Sequence, residues 1–258
     1  MNYATQASLY VNMAGAALLV FVSILLSARQ HRLHPLLLGC VAGLSISWIE
    51  APYDWATYAQ FPPELPRMPQ WWPVNWTWGG GVPSSVPLGY IFYMVFPALL
   101  GVALSRALVR KFGWTQPLTL LTVGLIVGFL SAFFWNGMIF SAHGVTYYGR
   151  VIPSLAIREG TIQQYPLYDS VAMGVQMMAI TYLMGRVDAT GRTFVSIWAD
   201  AKTHSRSASN TLAIAAVIVM ANIVYLSVFA PHYVTKVMHL QTAGSSQQLF
   251  PGVPNQPL

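Results

Sequence analysis

Carboxylates are scarce in this chain of 258 residues, which carries seven Asp and Glu in all. Two of them, Glu50 and Asp54, lie four residues apart in Ser47-Trp48-Ile49-Glu50-Ala51-Pro52-Tyr53-Asp54-Trp55-Ala56-Thr57-Tyr58, among two Trp and two Tyr. Ionisable groups at the edge of a long apolar run are costly to keep and point to a use. A carboxyl against apolar and aromatic walls holds its proton and suits a general acid, while a solvated neighbour stays ionised and acts as a base. Glu50 is expected to be the more buried, acidic partner and Asp54 its companion. A helix that continues through Pro52 puts both on one face, whereas proline more often kinks or ends a helix.

Asp169 follows a polar and aromatic stretch and opens another apolar run. It reads either as a first-turn carboxylate favoured by the helix dipole or as a third acid facing the same mouth, the alternate base. Gln176, seven residues on, would extend a polar stripe from it. Asn136 and His143 are also seven apart and would project from one side of a helix, with His143 as a proton carrier near neutral pH or simply an interfacial side chain. Trp48, Tyr53, Trp55 and Tyr58 would wall the site.

The composition fixes the setting. Hydrophobic residues make up 55 % of the chain and charged residues 8 %, against about a quarter charged in soluble domains. Runs of the length a helix needs to cross the hydrocarbon core, about 20 residues, are placed near 9–28, 35–50, 86–109, 116–141, 167–185 and 211–230. The expected fold is an all-α bundle of about six transmembrane spans, one domain over residues 1–240, with a Gly/Ser/Pro-rich tail over 241–258 expected to be disordered. Residues 1–6 have no basic region and the first apolar run has no cleavage-type ending, so that run is expected to be kept as a span.

The net charge of +6 does not indicate nucleic acid, because the basic residues cluster between apolar runs. Arg29, Arg32, Arg106, Arg110, Lys111, Arg186, Arg192, Lys202 and Arg206 fall in the first, third and fifth connections. By the positive-inside rule those connections are cytoplasmic and both termini face outward. A bacterial plasma membrane fits this pattern, with membrane lipids as partners. His31 and His34, among inner arginines, read as headgroup contacts, and the single Cys40 as a small buried apolar residue. No close His pair with a carboxylate at ligand spacing supports a metal site.

The second connection, 51–85, is rich in proline and holds Trp55, Trp71, Trp72, Trp76 and Trp78. It reads as an aromatic belt, a lid on the membrane surface, or a docking surface for a protein partner. Asn75-Trp76-Thr77 also fits an N-glycosylation pattern, a weak match.

Three stretches carry a family resemblance: Ile49-Glu50-Ala51-Pro52-Tyr53-Asp54-Trp55; the outer loop with Gly144 to Tyr148, Arg150-Val151-Ile152-Pro153 and Gln163-Gln164-Tyr165-Pro166-Leu167; and the turn Asp188-Ala189-Thr190-Gly191-Arg192-Thr193. With the order of the spans, the chain resembles the AveC-like spirocyclases, actinobacterial membrane proteins similar to the avermectin spiroketal cyclase. The resemblance implies closure of a dihydroxy-ketone to a spiroketal, or dehydration, on an apolar polyketide-like small molecule. Such chemistry needs an acid and a base and no redox cofactor or nucleotide. Aromatic rings beside the acid would face an oxocarbenium-like cation. Two other classes stay open: a non-catalytic membrane subunit or lipid-binding partner of a larger complex, and an integral membrane isoprenoid cyclase using the same acid and aromatic walls.

Overall fold

The computed structural model describes residues 3–72, 74–75 and 80–243. Its frame is a helical bundle: α1 (Tyr3–Gln30), α2 (Pro35–Ser45), α3 (Glu50–Thr57), α4 (Val86–Phe112), α5 (Gln116–Ala132), α6 (Leu167–Gly185), α7 (Phe194–Asp200) and α8 (Arg206–Val237). Among the described residues, five segments have the length and apolar composition to cross a membrane: 5–30, 35–57, 86–112, 116–141 and 206–237. The sixth expected span is α6, which carries Asp169 and Gln176 and is not among them. Its place is central, packed on α5, α4, α8 and α2, and a helix shielded in this way tolerates polar groups that lipid would reject.

Local chemistry explains the helix ends. His34 caps α2, its Nδ1 accepting the Leu36 N–H at 3.1 Å. Burial and the nearby Arg32 push its pKa down, which keeps the ring neutral and that nitrogen an acceptor. Gly113, at φ 67°, ends α4 in the left-handed conformation that glycine adopts without penalty. After α6, the carboxylate of Asp188 accepts from the Thr190 and Arg192 N–H groups, both at 2.9 Å, and pairs with the Arg192 guanidinium at 3.0 Å. The Thr190 hydroxyl, donating to Asp188 Oδ1 at 2.7 Å, does most to hold its pKa well below the usual carboxylate range, and these other donors add to it. Their contribution to the turn is therefore full above about pH 4 and lost as the carboxylate is protonated in stronger acid.

The tightest seam joins α5 to α6 through glycines. A Cβ on Gly128 would lie 2.8 Å from Met177 Cβ and 3.0 Å from Gly174 O, and one on Gly124 would lie 2.9 Å from Thr181 Cβ. The Gly124–Gly128 spacing is the small-residue motif that lets two backbones approach inside a membrane. α1 is the opposite case, since most of its side chains face outward and only Thr5, Ala16 and Ser23 are fully buried among those described.

The two long connections and the end of the described chain are knitted over one end of the bundle by short antiparallel pairs. β1 (Ala59–Gln60) pairs with β2 (Tyr147–Tyr148), β3 (Arg150–Val151) with β6 (Thr242–Ala243), and β4 (Ala156–Ile157) with β5 (Tyr165–Pro166). Arg67 organises the Pro-rich connection by donating to the carbonyls of Phe61, Pro62 and Gly81 at 3.1, 2.8 and 2.9 Å. Burial pushes its pKa down, against the opposing charges of Asp54 and Glu64. The expected tail begins at Gln241, whose Nε2 donates to Ala56 O at 3.1 Å. Its remainder, 244–258, lies outside the described residues, as do Trp76 and Thr77 of the glycosylation pattern.

Gly128→Val should overpack the α5–α6 seam by about 1–3 kcal/mol and lower the thermal unfolding temperature in detergent. Gly113→Ala, with open space around it, should cost less, about 1 kcal/mol from the positive φ alone.

Candidate acid cavity

α3 builds the site because Pro52 falls in its first turn, where the missing N–H has no intrahelical partner to lose. The helix therefore runs from Glu50 through Thr57, and Glu50, Tyr53, Asp54 and Thr57, at the i, i+3, i+4, i+7 spacing of one face, all line the same cavity. That cavity holds about 130 Å³ and is walled by α1, α3, α4, α6, α8 and the two outer loops. Asp169, at the start of α6, lines it too, so three of the chain's carboxylates meet one space. Among the described residues no three His, Cys, Asp or Glu side chains form a group able to hold a metal ion.

Each acid has a different environment. Asp169 receives three donors: Tyr53 Oη to Oδ1 at 2.8 Å, and Tyr165 Oη and Asn136 Nδ2 to Oδ2 at 2.9 and 3.1 Å. Convergence of donors on both oxygens is what an acceptor-only carboxylate takes. Glu50 Oε2 accepts from Tyr90 Oη at 2.5 Å, and Tyr90 Oη is 2.5 Å from Tyr225 Oη. Since Tyr90 gives its one proton to Glu50, Tyr225 must be the donor in the second contact. Asp54 is 3 % exposed, and its Oδ2 has no hydrogen-bond partner. The expected order of burial is thus reversed: Glu50 keeps partial exposure and Asp54 is the enclosed acid.

Behind Asp169 lies a second ring. Tyr53 Oη is 3.3 Å from His232 Nε2, and His232 Nδ1 is 2.9 Å from Val228 O. A carbonyl only accepts, so Nδ1 carries a proton and faces it. The Tyr53 hydroxyl then stands between two groups, Asp169 and His232 Nε2, with one proton to give. In the outer loops, Tyr148 closes the cavity wall, and burial followed by the charge of Asp169 raises its pKa.

Of the sequence candidates, Glu50, Tyr53, Asp54, Asn136 and Asp169 come together. The others do not line the cavity. Trp48 sits in a 3-10 turn (Ser47–Ile49) that breaks the helix before α3 and directs its Nε1 to Asn222 Oδ1 on α8, 2.7 Å away. Trp55 is on the far face of α3, beside Tyr233 and 4.4 Å from the Lys236 ammonium. Tyr58 ends α3 in the left-handed conformation, with Lys236 3.4 Å over its ring. His143 is exposed, its Nδ1 2.9 Å from Ile139 O. The reason is the π-helical segment Phe133–Ser141 that continues α5: its wider turn removes the alignment that a seven-residue spacing has in an α-helix. Gln176 is fully buried, two turns along α6 from Asp169, with neither amide atom hydrogen-bonded.

Tyr90 and His232 have no role in the sequence reading, Tyr165 figures there only within a stretch that carries the family resemblance, and Tyr225, three residues from Asn222 on one helix face, reads equally as interhelical glue or as a site group. The spacing of Tyr90 and Tyr93 on α4 was a signal of a polar face, whereas nothing local to His232 ties it to Asp169. Removing the shared hydroxyl in Tyr53→Phe should leave a buried polar group short of a partner and cost about 1–3 kcal/mol, read as a lowered unfolding temperature; Trp55→Phe should change it less.

The chain matches the sequence model of the family described as spirocyclase AveC-like over residues 28–256. No curated protein and no solved structure matches it. The matched region contains α2 through α8 and every carboxylate of the cavity, and the family description points to a cyclase-type activity. The chain belongs to the AveC-like spirocyclase family.

Proposed function

We propose that the protein is a membrane-embedded, cofactor-independent acid/base cyclase or dehydratase acting on an apolar, polyketide-like hydroxy-ketone. The observation that carries this reading is the presence of Glu50, Asp54 and Asp169 around one cavity with three different hydrogen-bond environments. Environments that set neighbouring carboxyls apart are how acid and base roles are divided.

In this reading Asp54, with an oxygen that no protein group engages, protonates the departing hydroxyl of a hemiketal. Water leaves, and the resulting oxocarbenium ion is faced by the Glu50 carboxylate and the rings of Tyr53 and Tyr90. The second substrate hydroxyl attacks that carbon, and Asp169 accepts its proton while Tyr53, Asn136 and Tyr165 steady the carboxylate. Ring closure from the dihydroxy-ketone releases one water, so no oxidant or reductant is consumed. A dehydratase would use the same pair, with Asp169 taking a proton from the carbon next to the departing hydroxyl.

Purified protein incubated with a dihydroxy-ketone should release spiroketal, detectable by chiral chromatography. Asp54→Asn and Asp169→Asn should each lower turnover by about 10²–10⁴-fold, and Glu50→Gln should lower it as well. Full activity in both Glu50→Gln and Asp54→Asn would sink the assignment.

We further infer a bacterial plasma membrane location with the cavity at the outer end and both termini outward, on the strength of the basic inner connections. His143→Cys, introduced at an exposed outer position, should react with a membrane-impermeant maleimide added to intact cells, whereas the buried Cys40 should not.

A further inference from the structure

A second cavity, of about 120 Å³, lies between α1, α4 and the π-helical segment. Its walls are apolar: Ala7 and Val11 of α1, Phe92, Phe96 and Pro97 of α4, and Trp135 and Ile139 of the π-segment. It shares Ser8, Asn12, Tyr93 and Phe140 with the acid cavity, so the two spaces adjoin at a polar collar. The Tyr93 hydroxyl in that collar is buried, with Asn136 as its polar neighbour. On its α1 side the chamber is bounded by the least embedded helix of the bundle, whose Val11 is 46 % exposed. The chamber's lining thus includes a residue of α1 that is half exposed, and no residue of the connections that roof the acid cavity.

We propose that this chamber holds the hydrocarbon chain of the same molecule whose oxygen functions occupy the acid cavity. The substrate class is then an amphiphile, with an oxygenated head at Glu50, Asp54 and Asp169 and a saturated or isoprenoid-like chain lodged against Phe96, Pro97 and Trp135. It enters from the lipid phase past α1, and the Tyr93 hydroxyl meets the first oxygen at the junction. The proposal rests on the acid/base reading for the head of the molecule and goes beyond it in fixing the tail and the route.

The test uses full-length protein in phosphatidylcholine nanodiscs and two photoprobes. One is a dihydroxy-ketone, able to close to a spiroketal, with a ten-carbon chain ending in a diazirine; the other is a phosphatidylcholine with a diazirine on its acyl chain. The dihydroxy-ketone should label α1 and the π-segment around Val11, Trp135 and Ile139. Val11→Trp, and independently Ala7→Phe, should reduce that labelling at least fivefold, while Val219→Trp on the exposed face of α8 should not. Unlabelled dihydroxy-ketones, compared at equal free aqueous concentration, should compete more strongly by about fourfold per added methylene, up to the length that fills the chamber. The proposal is overturned if labelling spreads evenly over lipid-facing helices, if both filling variants fold yet leave it unchanged, or if the phospholipid labels the chamber equally well and resists competition. Chamber-specific labelling with no ring closure would retain the tail site and reject the cyclase reading. Ring closure without chamber labelling would do the reverse.

Discussion

Everything at the cavity end of this protein follows from placing three carboxyl groups in a bundle with few charges of any kind. An unpaired charge in such surroundings is unfavourable by several kcal/mol, and the chain meets that with phenols rather than with basic side chains. Tyr53, Tyr165, Tyr90 and Tyr225 come from α3, the outer loop, α4 and α8, and each brings an apolar ring together with one donor. The rings also pack on each other: Tyr53 and Tyr225 stack at 5.7 Å, and Tyr90 meets Tyr225 edge-on at 5.9 Å. A lysine or arginine in these places would neutralise the acids it touched. Phenols support a carboxylate without cancelling its charge.

The same device sets the helix arrangement. Because the donors for Asp169 come from α3, the π-segment and the outer loop, the start of α6 is fixed only when all three are in place. The close glycine seam between α5 and α6 brings the π-segment and Asp169 together, and the wider turn of that segment aims Asn136 at the carboxylate. Packing deep in the bundle and hydrogen bonding at its mouth are therefore parts of one arrangement.

Much of the frame was legible in the sequence, since the long apolar runs and their boundaries follow from a length requirement that lipid imposes on any helix. The exception, α6, has its hydropathy lowered by the polar groups that matter most. The pairing of Glu50 with Asp54 was legible because both lie on one short helix, and the doubt raised by Pro52 is resolved by its position in the first turn. What the sequence withheld is non-local. His232 stands 179 positions from Tyr53, and no spacing rule links them. Trp48 and Trp55 misled because aromatic residues adjacent in sequence to an acid point elsewhere once a 3-10 turn and a helix face are drawn. The alignment of Asn136 with His143 failed because it assumed 3.6 residues per turn through a segment that does not keep that period.

The pairing of Arg150–Val151 with Thr242–Ala243 bears on the order of assembly. A ribosome delivers α1 through α7 and the whole outer loop before the second strand of that pair exists, and chains fold from the N-terminal side as they emerge. The roof over the acids thus lacks one of its ties until the final stretch beyond α8 arrives. Thr242 and Ala243, which supply that tie, act as the latch of the roof over the carboxylates.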